Sequence, residues 1–243
     1  MNLLKLALQN AATPQHVQFA AAGDAAEIFL KGVISKDFGI GAESLRESFV
    51  QASNAPVKLY INSPGGDVFE AREMQGIIAG YKGTVTAVIQ GVAASAATIV
   101  SMAASKVQMT KGSRFMIHNG RTLAFGDRHE FMDIHNLLAT FDAELAAEYA
   151  TKTGAKVEAM AQMMDAETWF TAEQAKEQGF VDEILSNTQN ASMRATWNLS
   201  AYAHAPEIVS EVEEPTAAEL AAQADRIARL NRSRLAALLQ PRT

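Results

Sequence analysis

Short strand-like runs alternate with helix-like runs through the middle of this chain, and successive strands end in turns of very small residues. Glu27-Ile28-Phe29-Leu30, Val57-Lys58-Leu59-Tyr60-Ile61 and Thr84-Val85-Thr86-Ala87-Val88-Ile89 are rich in β-branched and aromatic residues and read as strands. Shorter candidates follow at 106–109 and 115–117. Between them, 42–52 has helical spacing with Leu45, Phe49 and Val50 on one side, 68–81 reads as a helix, and Thr98–Ala104 is an apolar helical run. This alternation predicts an α/β fold, a mostly parallel sheet covered by helices. In such a sheet the turns after successive strands lie at one end, where parallel sheets place their sites.

The stretch 127–153 predicts one long helix. Phe131, Ile134, Leu138, Phe141 and Leu145 step by three and four along a single stripe, with Asp142, Glu144 and Glu148 largely off it. The stripe suits packing on its own domain or a subunit interface. From about 187 the composition shifts. Residues 186–200 are polar and aperiodic, Glu207, Glu211, Glu213 and Glu214 form an acidic run, and Thr216-Ala217-Ala218-Glu219 is a capping box that opens an amphipathic helix to about Gln240. The organisation expected is an N-terminal arm over 1–26, a main domain over 27–187, an acidic linker over 188–215 and a helical tail over 216–243.

The net charge of −6 gives no electrostatic reason for nucleic acid or an anionic membrane as a partner. No stretch reaches the roughly 18 apolar residues of a membrane span. The apolar N-terminal run is short and interrupted by Lys5, so it reads as a short helix or arm rather than a leader. The chain has no cysteine, which removes thiol nucleophiles, thiolate metal sites and disulfides. No cofactor or metal is expected, and the bland expectation is a cytoplasmic protein.

Two small-residue turns carry the chemistry. Gly91-Val92-Ala93-Ala94-Ser95-Ala96-Ala97 sets a serine on a strand-to-helix turn, where a hydroxyl is well placed to be a nucleophile. Ser63-Pro64-Gly65-Gly66-Asp67 leaves backbone amides bare and, with the amide of Ala96, suits a two-donor oxyanion hole. A phosphate loop ranks below this, because both glycine fingerprints for phosphate are missing. A serine nucleophile needs a base. Of five histidines, His118 ends a strand-like run ahead of Gly120, whereas His129 and His135 lie on the long helix and His16 and His204 near the two ends. An acid to orient that base is available at Asp165 or Glu167, either of which could instead cap a helix or stay solvated.

Leu59-Tyr60-Ile61-Asn62-Ser63-Pro64-Gly65-Gly66, the turn at 91–95, Met116-Ile117-His118 and Phe170-Thr171-Ala172-Glu173-Gln174-Ala175 with Gly179-Phe180-Val181-Asp182 resemble the Clp protease proteolytic subunit family, over about residues 27–187. The resemblance implies the ClpP/crotonase-like fold, a spiral of ββα units, here with a long interface helix and a C-terminal helical tail. It implies a serine endopeptidase with Ser95 as nucleophile, His118 as base, and Gly66 and Ala96 as oxyanion donors. The family's acid is normally an aspartate. Here Glu167 falls at its position, with Asp165 as the alternative. Partners implied are polypeptide substrates, a homo-oligomeric ring and an AAA+ unfoldase.

After the histidine, Asn119-Gly120-Arg121-Thr122-Leu123-Ala124-Phe125-Gly126 replaces the Gly-Gly-rich segment of housekeeping members. With the added tail, the chain looks more like the phage and prophage branch, whose members mature capsids. That reading expects cleavage of capsid or scaffold protein in host cytoplasm or in an assembling prohead. The rivals are a conventional Clp subunit, an acyl-CoA enzyme of crotonase type, a Ser–Lys peptidase with a membrane anchor, and a catalytically silent assembly protein.

Overall fold

The computed structural model describes residues 3–122, 124–186 and 197–206. Helix α1 (Leu3–Gln9) leads into β1 (His16–Ala22), which pairs antiparallel with β2 (Ala25–Lys31) across a turn at Gly23. Helix α2 (Ala42–Ala52) connects β2 to β3 (Val57–Ser63), and α3 (Val68–Ala79) connects β3 to β4 (Val85–Ala94). Then come α4 (Ala96–Met102), β5 (Lys106–Thr110), β6 (Arg114–Ile117), α5 (Arg128–Thr153), α6 (Val157–Asp165), β7 (Thr168–Phe170), α7 (Ala172–Glu177) and β8 (Glu183–Leu185). One sheet runs in the order β1-β2-β3-β4-β5-β8, and β6 and β7 branch from β4.

Strands β2, β3, β4 and β5 are parallel neighbours. Their register places Ile28, Leu59, Ala87 and Val107 in one row, and all four are buried. Helices α2, α3 and α4, the second half of α5, α6 and α7 cover that face in one hydrophobic core. The adjacent row points to the other face, where Phe29 stacks on Tyr60 with ring centroids 4.9 Å apart. A sheet packed on both faces explains why β3 reads as a continuous apolar run rather than an alternating one.

Strand β4 forks, and the fork builds the site. Its first half pairs with β5 and its last three residues pair with β6, both in parallel. The switch falls at Gly91, with φ of +107° and a position where a Cβ would sit 2.7 Å from the Asn62 side chain. Only glycine fits both demands. Because Ala94 is in register with Met116, the residues just past the two strands are neighbours: Ser95 follows β4 and His118 follows β6.

The structure adds elements that local pattern did not predict. Residues 16–22, within the expected arm, form the edge strand β1; alanine and glutamine are weak strand formers, and the strand is only half-buried. Helix α6 and the three-residue strands β7 and β8 were also unassigned. Within the expected linker 188–215, residues 197–206 are packed. Trp197, Leu199 and Tyr202 join Leu6, Val33, Val92, Ala94 and Met116 in a second buried cluster. The acidic run at 207–214 and the helix expected over 216–243 lie outside the described residues. The long helix is present, with Asp127 and Glu130 forming its capping box, but its stripe is buried only toward the C-terminal end, at Leu145, Ala146, Tyr149 and Ala150.

Candidate active site

Ser95 stands between β4 and α4 with φ 55° and ψ −125°, a conformation that L-residues rarely adopt. The turn is fastened from several sides. The Ser95 amide donates to the Met116 carbonyl at 2.9 Å, and the Ser95 carbonyl accepts from the Thr98 amide at 2.9 Å and the Thr98 hydroxyl at 2.6 Å. The Thr98 hydroxyl in turn lies 2.7 Å from that of buried Tyr149. This over-determined turn holds the Ser95 side chain toward His118, whose Nε2 lies 2.7 Å from Ser95 Oγ. Burial, helped by the charge of Arg121 and opposed by that of Glu167, pushes the His118 pKa down to about 3. The imidazole is therefore neutral at pH 7 and has a lone pair to accept a proton.

Of the two candidate acids, Glu167 is buried beside His118 and Asp165 is not. Asp165 accepts from the Asn119 carboxamide at 2.6 Å at the surface. Glu167 sits on a tight turn between α6 and β7, with φ of +48°, and its side chain is almost fully buried. Burial works to raise its pKa, but the His204 and Ala203 amides, Arg121 and His118 outweigh it and hold the carboxyl below its ordinary value. One carboxylate oxygen accepts from the Arg121 guanidinium at 2.9 Å and the other from the His204 amide at 2.7 Å. His118 Nδ1 is buried and, among the described residues, has no hydrogen-bond partner. The structure thus brings Ser95 and His118 into contact and places Glu167 near them with its oxygens committed elsewhere.

The Gly65-Gly66 turn packs directly on Ser95. A Cβ on Gly65 would fall 2.8 Å from the Ser95 Cβ, and one on Gly66 would fall 2.0 Å from the Ile34 carbonyl oxygen. Gly66 is bridged to Ile34 through the Gly65 carbonyl and the Asp67 amide, at 2.8 and 2.7 Å. The groups that face Ile34 thus belong to the neighbours of Gly66, so the Gly66 amide faces away from Ile34. The Ala96 amide opens α4, where helix amides lack intrahelical acceptors.

Arg121, Asn62 and Tyr202 were not singled out from sequence. The buried Asn62 carboxamide oxygen accepts from the Val92 amide at 3.1 Å and from Trp197 Nε1 at 2.7 Å. Tyr202 is buried against the Gly65 turn and makes edge contact with His118, 5.5 Å between centroids. An isolated aromatic in a polar stretch carries no periodic signal that could have flagged it. Among the described residues there is no cluster of metal-ligating side chains and no helix long and apolar enough to cross a membrane.

A serine hydroxyl facing a neutral histidine, on a strained strand-to-helix turn beside glycine amides, has the chemistry of a serine hydrolase. A family profile described as Clp protease matches residues 22–188. The chain belongs to the Clp protease family and is a serine-type endopeptidase. It is similar to the ATP-dependent Clp protease proteolytic subunit 2 of Treponema pallidum, 32% identical over 65% of this chain and 81% of that protein. It is also similar to subunit 1 of Bifidobacterium longum, 33% identical over 57% of this chain and 61% of that protein. Among solved structures it resembles a ClpP1 point mutant from Listeria monocytogenes, with TM-score 0.57 and 27% identity over 67% of this chain and 92% of the other. The α/β architecture is the ClpP one. The family match ends before the packed segment 197–206.

Proposed function

We propose that this protein hydrolyses peptide bonds with Ser95 as nucleophile, His118 as general base and Glu167 as the charged acid behind it. The observation that carries the reading is the 2.7 Å approach of His118 Nε2 to Ser95 Oγ. Ser95 Oγ attacks the scissile carbonyl as His118 Nε2 takes its proton, and the Gly66 and Ala96 amides hold the tetrahedral oxyanion. The intermediate collapses, the C–N bond breaks, and His118 returns the proton to the leaving amine. Water then repeats the sequence on the acyl-enzyme and releases the acid. Glu167 stays ionised and stabilises the imidazolium. It is favoured over Asp165 because its charge acts on His118, whereas Asp165 is engaged by Asn119. A fluorophosphonate probe tests the reading. Wild type labels, and Ser95→Ala does not and loses roughly 10⁴-fold or more in peptidase rate. A protein that stays unlabelled in every assembly state, in wild type and also in variants that open the site, would refute it.

For the substrate we favour capsid or scaffold protein of a phage or prophage, cut in host cytoplasm or in an assembling prohead. The supports are the segment after His118, which lacks the Gly-Gly-rich run of housekeeping members, and the sequence that continues past the family match at 188. Co-expression with a capsid protein, followed by N-terminal sequencing of the products, is the test; an uncut capsid protein counts against it. The second reading is a conventional proteolytic subunit fed by an AAA+ unfoldase. It draws on relatives whose names describe ATP-dependent proteases, and stable capture of such an unfoldase would favour it. Both readings involve a homo-oligomeric ring, consistent with the exposed apolar side chains Phe131, Met132 and Leu137 on α5. The domain organisation we propose keeps 27–187 as the protease domain.

A further inference from the structure

Residues 197–206 run over the mouth of the site, and they do so by built contacts. Helix α1 clamps the near end. The Asn10 carboxamide donates to the Asn198 carbonyl at 3.0 Å and accepts from the Asn198 amide at 2.7 Å, while Lys5 and Gln9 bind Ser200. Trp197 is anchored on Asn62. Further along, the Tyr202 side chain enters the site itself. Its hydroxyl donates to the Pro64 carbonyl, its ring meets His118 and Trp169 edge-on, and it is buried. The next two residues turn their amides onto Glu167.

We propose that this segment is an intramolecular strap that holds the protease at a low rate until it is displaced. The proposal rests on the reading of Ser95, His118 and Glu167 given above. The strap acts twice. The Tyr202 ring and hydroxyl fill the space over Ser95 and the Gly65-Gly66 turn that a scissile peptide must enter. The Ala203 and His204 amides, with Arg121, draw the Glu167 carboxylate away from His118, whose Nδ1 is left without a partner. The tyrosine and the two amides leave together when the strap lifts, because one short segment carries them. The trough it vacates is lined by Val33, Val92, Ala94 and Met116 and holds tryptophyl, leucyl and tyrosyl side chains. Its natural competitor is accordingly an extended peptide bearing aromatic and aliphatic side chains.

The test is the rate of fluorophosphonate labelling and of peptide hydrolysis in full-length chains. Tyr202→Ala should label at least tenfold faster than wild type. Tyr202→Phe keeps the packing and loses only the hydroxyl, so it should show a smaller gain in the same direction even if the alanine variant folds poorly. A synthetic peptide of sequence 197–206 added to Tyr202→Ala should slow it again. Equal rates in wild type and both variants, all abolished by Ser95→Ala, would overturn the strap while leaving the catalytic reading standing. No labelling in any of the folded variants would overturn the catalytic reading and the strap with it.

Discussion

At the scale of single residues, the site holds two unfavourable local states, and each has a measurable consequence. His118 is buried and neutral, with its pKa pushed down to about 3 by burial first, by Arg121 next, and raised in part by Glu167. In the unfolded chain the same imidazole titrates near 6.5, so on acidification the unfolded state takes up the proton first. The stability tied to a neutral His118 is full above about pH 6.5 and drains away as pH falls toward 3. Between pH 7 and pH 4.5 the folded state should lose roughly 3 kcal/mol through this group. Urea denaturation at the two pH values reads it, and His118→Gln should lose less by about that amount. Ser95 stores strain in its backbone. Glycine tolerates that conformation and alanine does not, so Ser95→Gly should be more stable than Ser95→Ala by about 1 kcal/mol, after allowing for the greater entropy glycine loses on folding. Equal denaturation midpoints for the two inactive variants would show that the turn is unstrained.

At the scale of elements, the site depends on connections between strand ends rather than on any one strand. The Gly65-Gly66 turn is held between Ile34 on one side and Ser95 on the other. Gly66→Ala would push a methyl group into the Ile34 carbonyl, and the bridge must open. A loss of roughly 3 kcal/mol in chemical denaturation is expected, together with loss of labelling by the serine probe. Gly112 is the useful contrast. It too has a positive φ, but a Cβ there meets nothing within 4 Å. Gly112→Ala should cost only about 1–2 kcal/mol, the penalty of the left-handed backbone, with no effect on labelling.

At the scale of the whole molecule, the first half of α5 stands out from the body. Phe131 is 51% exposed and Leu137 64%, whereas Leu145 and Tyr149 farther along the same helix are buried. Apolar side chains left exposed along the first half of a helix call for a cover, and in the ring proposed above a second copy of the chain would supply it. Phe131→Glu with Leu137→Glu should therefore lower the mass of the assembled particle in sedimentation velocity without changing the stability of the protomer. An unchanged particle mass would place the subunit contact elsewhere.

Much of this was legible from the chain, because it rests on local signals. The strands at 57–61 and 84–89 and the helices at 42–52, 68–81 and 127–153 stand where composition and periodicity put them. The serine on its small-residue turn and the histidine after its strand needed only the rule that parallel strands end together. The acid's identity was open between two neighbours in sequence. Our proposal of Glu167 rests on the turn at positive φ that carries its side chain inward while Asp165 stays at the surface. What the chain did not disclose came from contacts between distant residues. The edge strand β1 is made by its pairing with β2, not by its alanines. Trp197 reaches Asn62 across 135 positions, and Tyr202 reaches Pro64 across 138. Spacing within 197–206 matches neither helix nor strand, since its side chains are placed by pockets on α1 and β4 rather than by a repeating backbone. Sequence alone determined the protease fold and its serine–histidine pair. That the same chain lays its own tyrosine across them was decided only when the fold brought α1 and residues 197–206 to one trough.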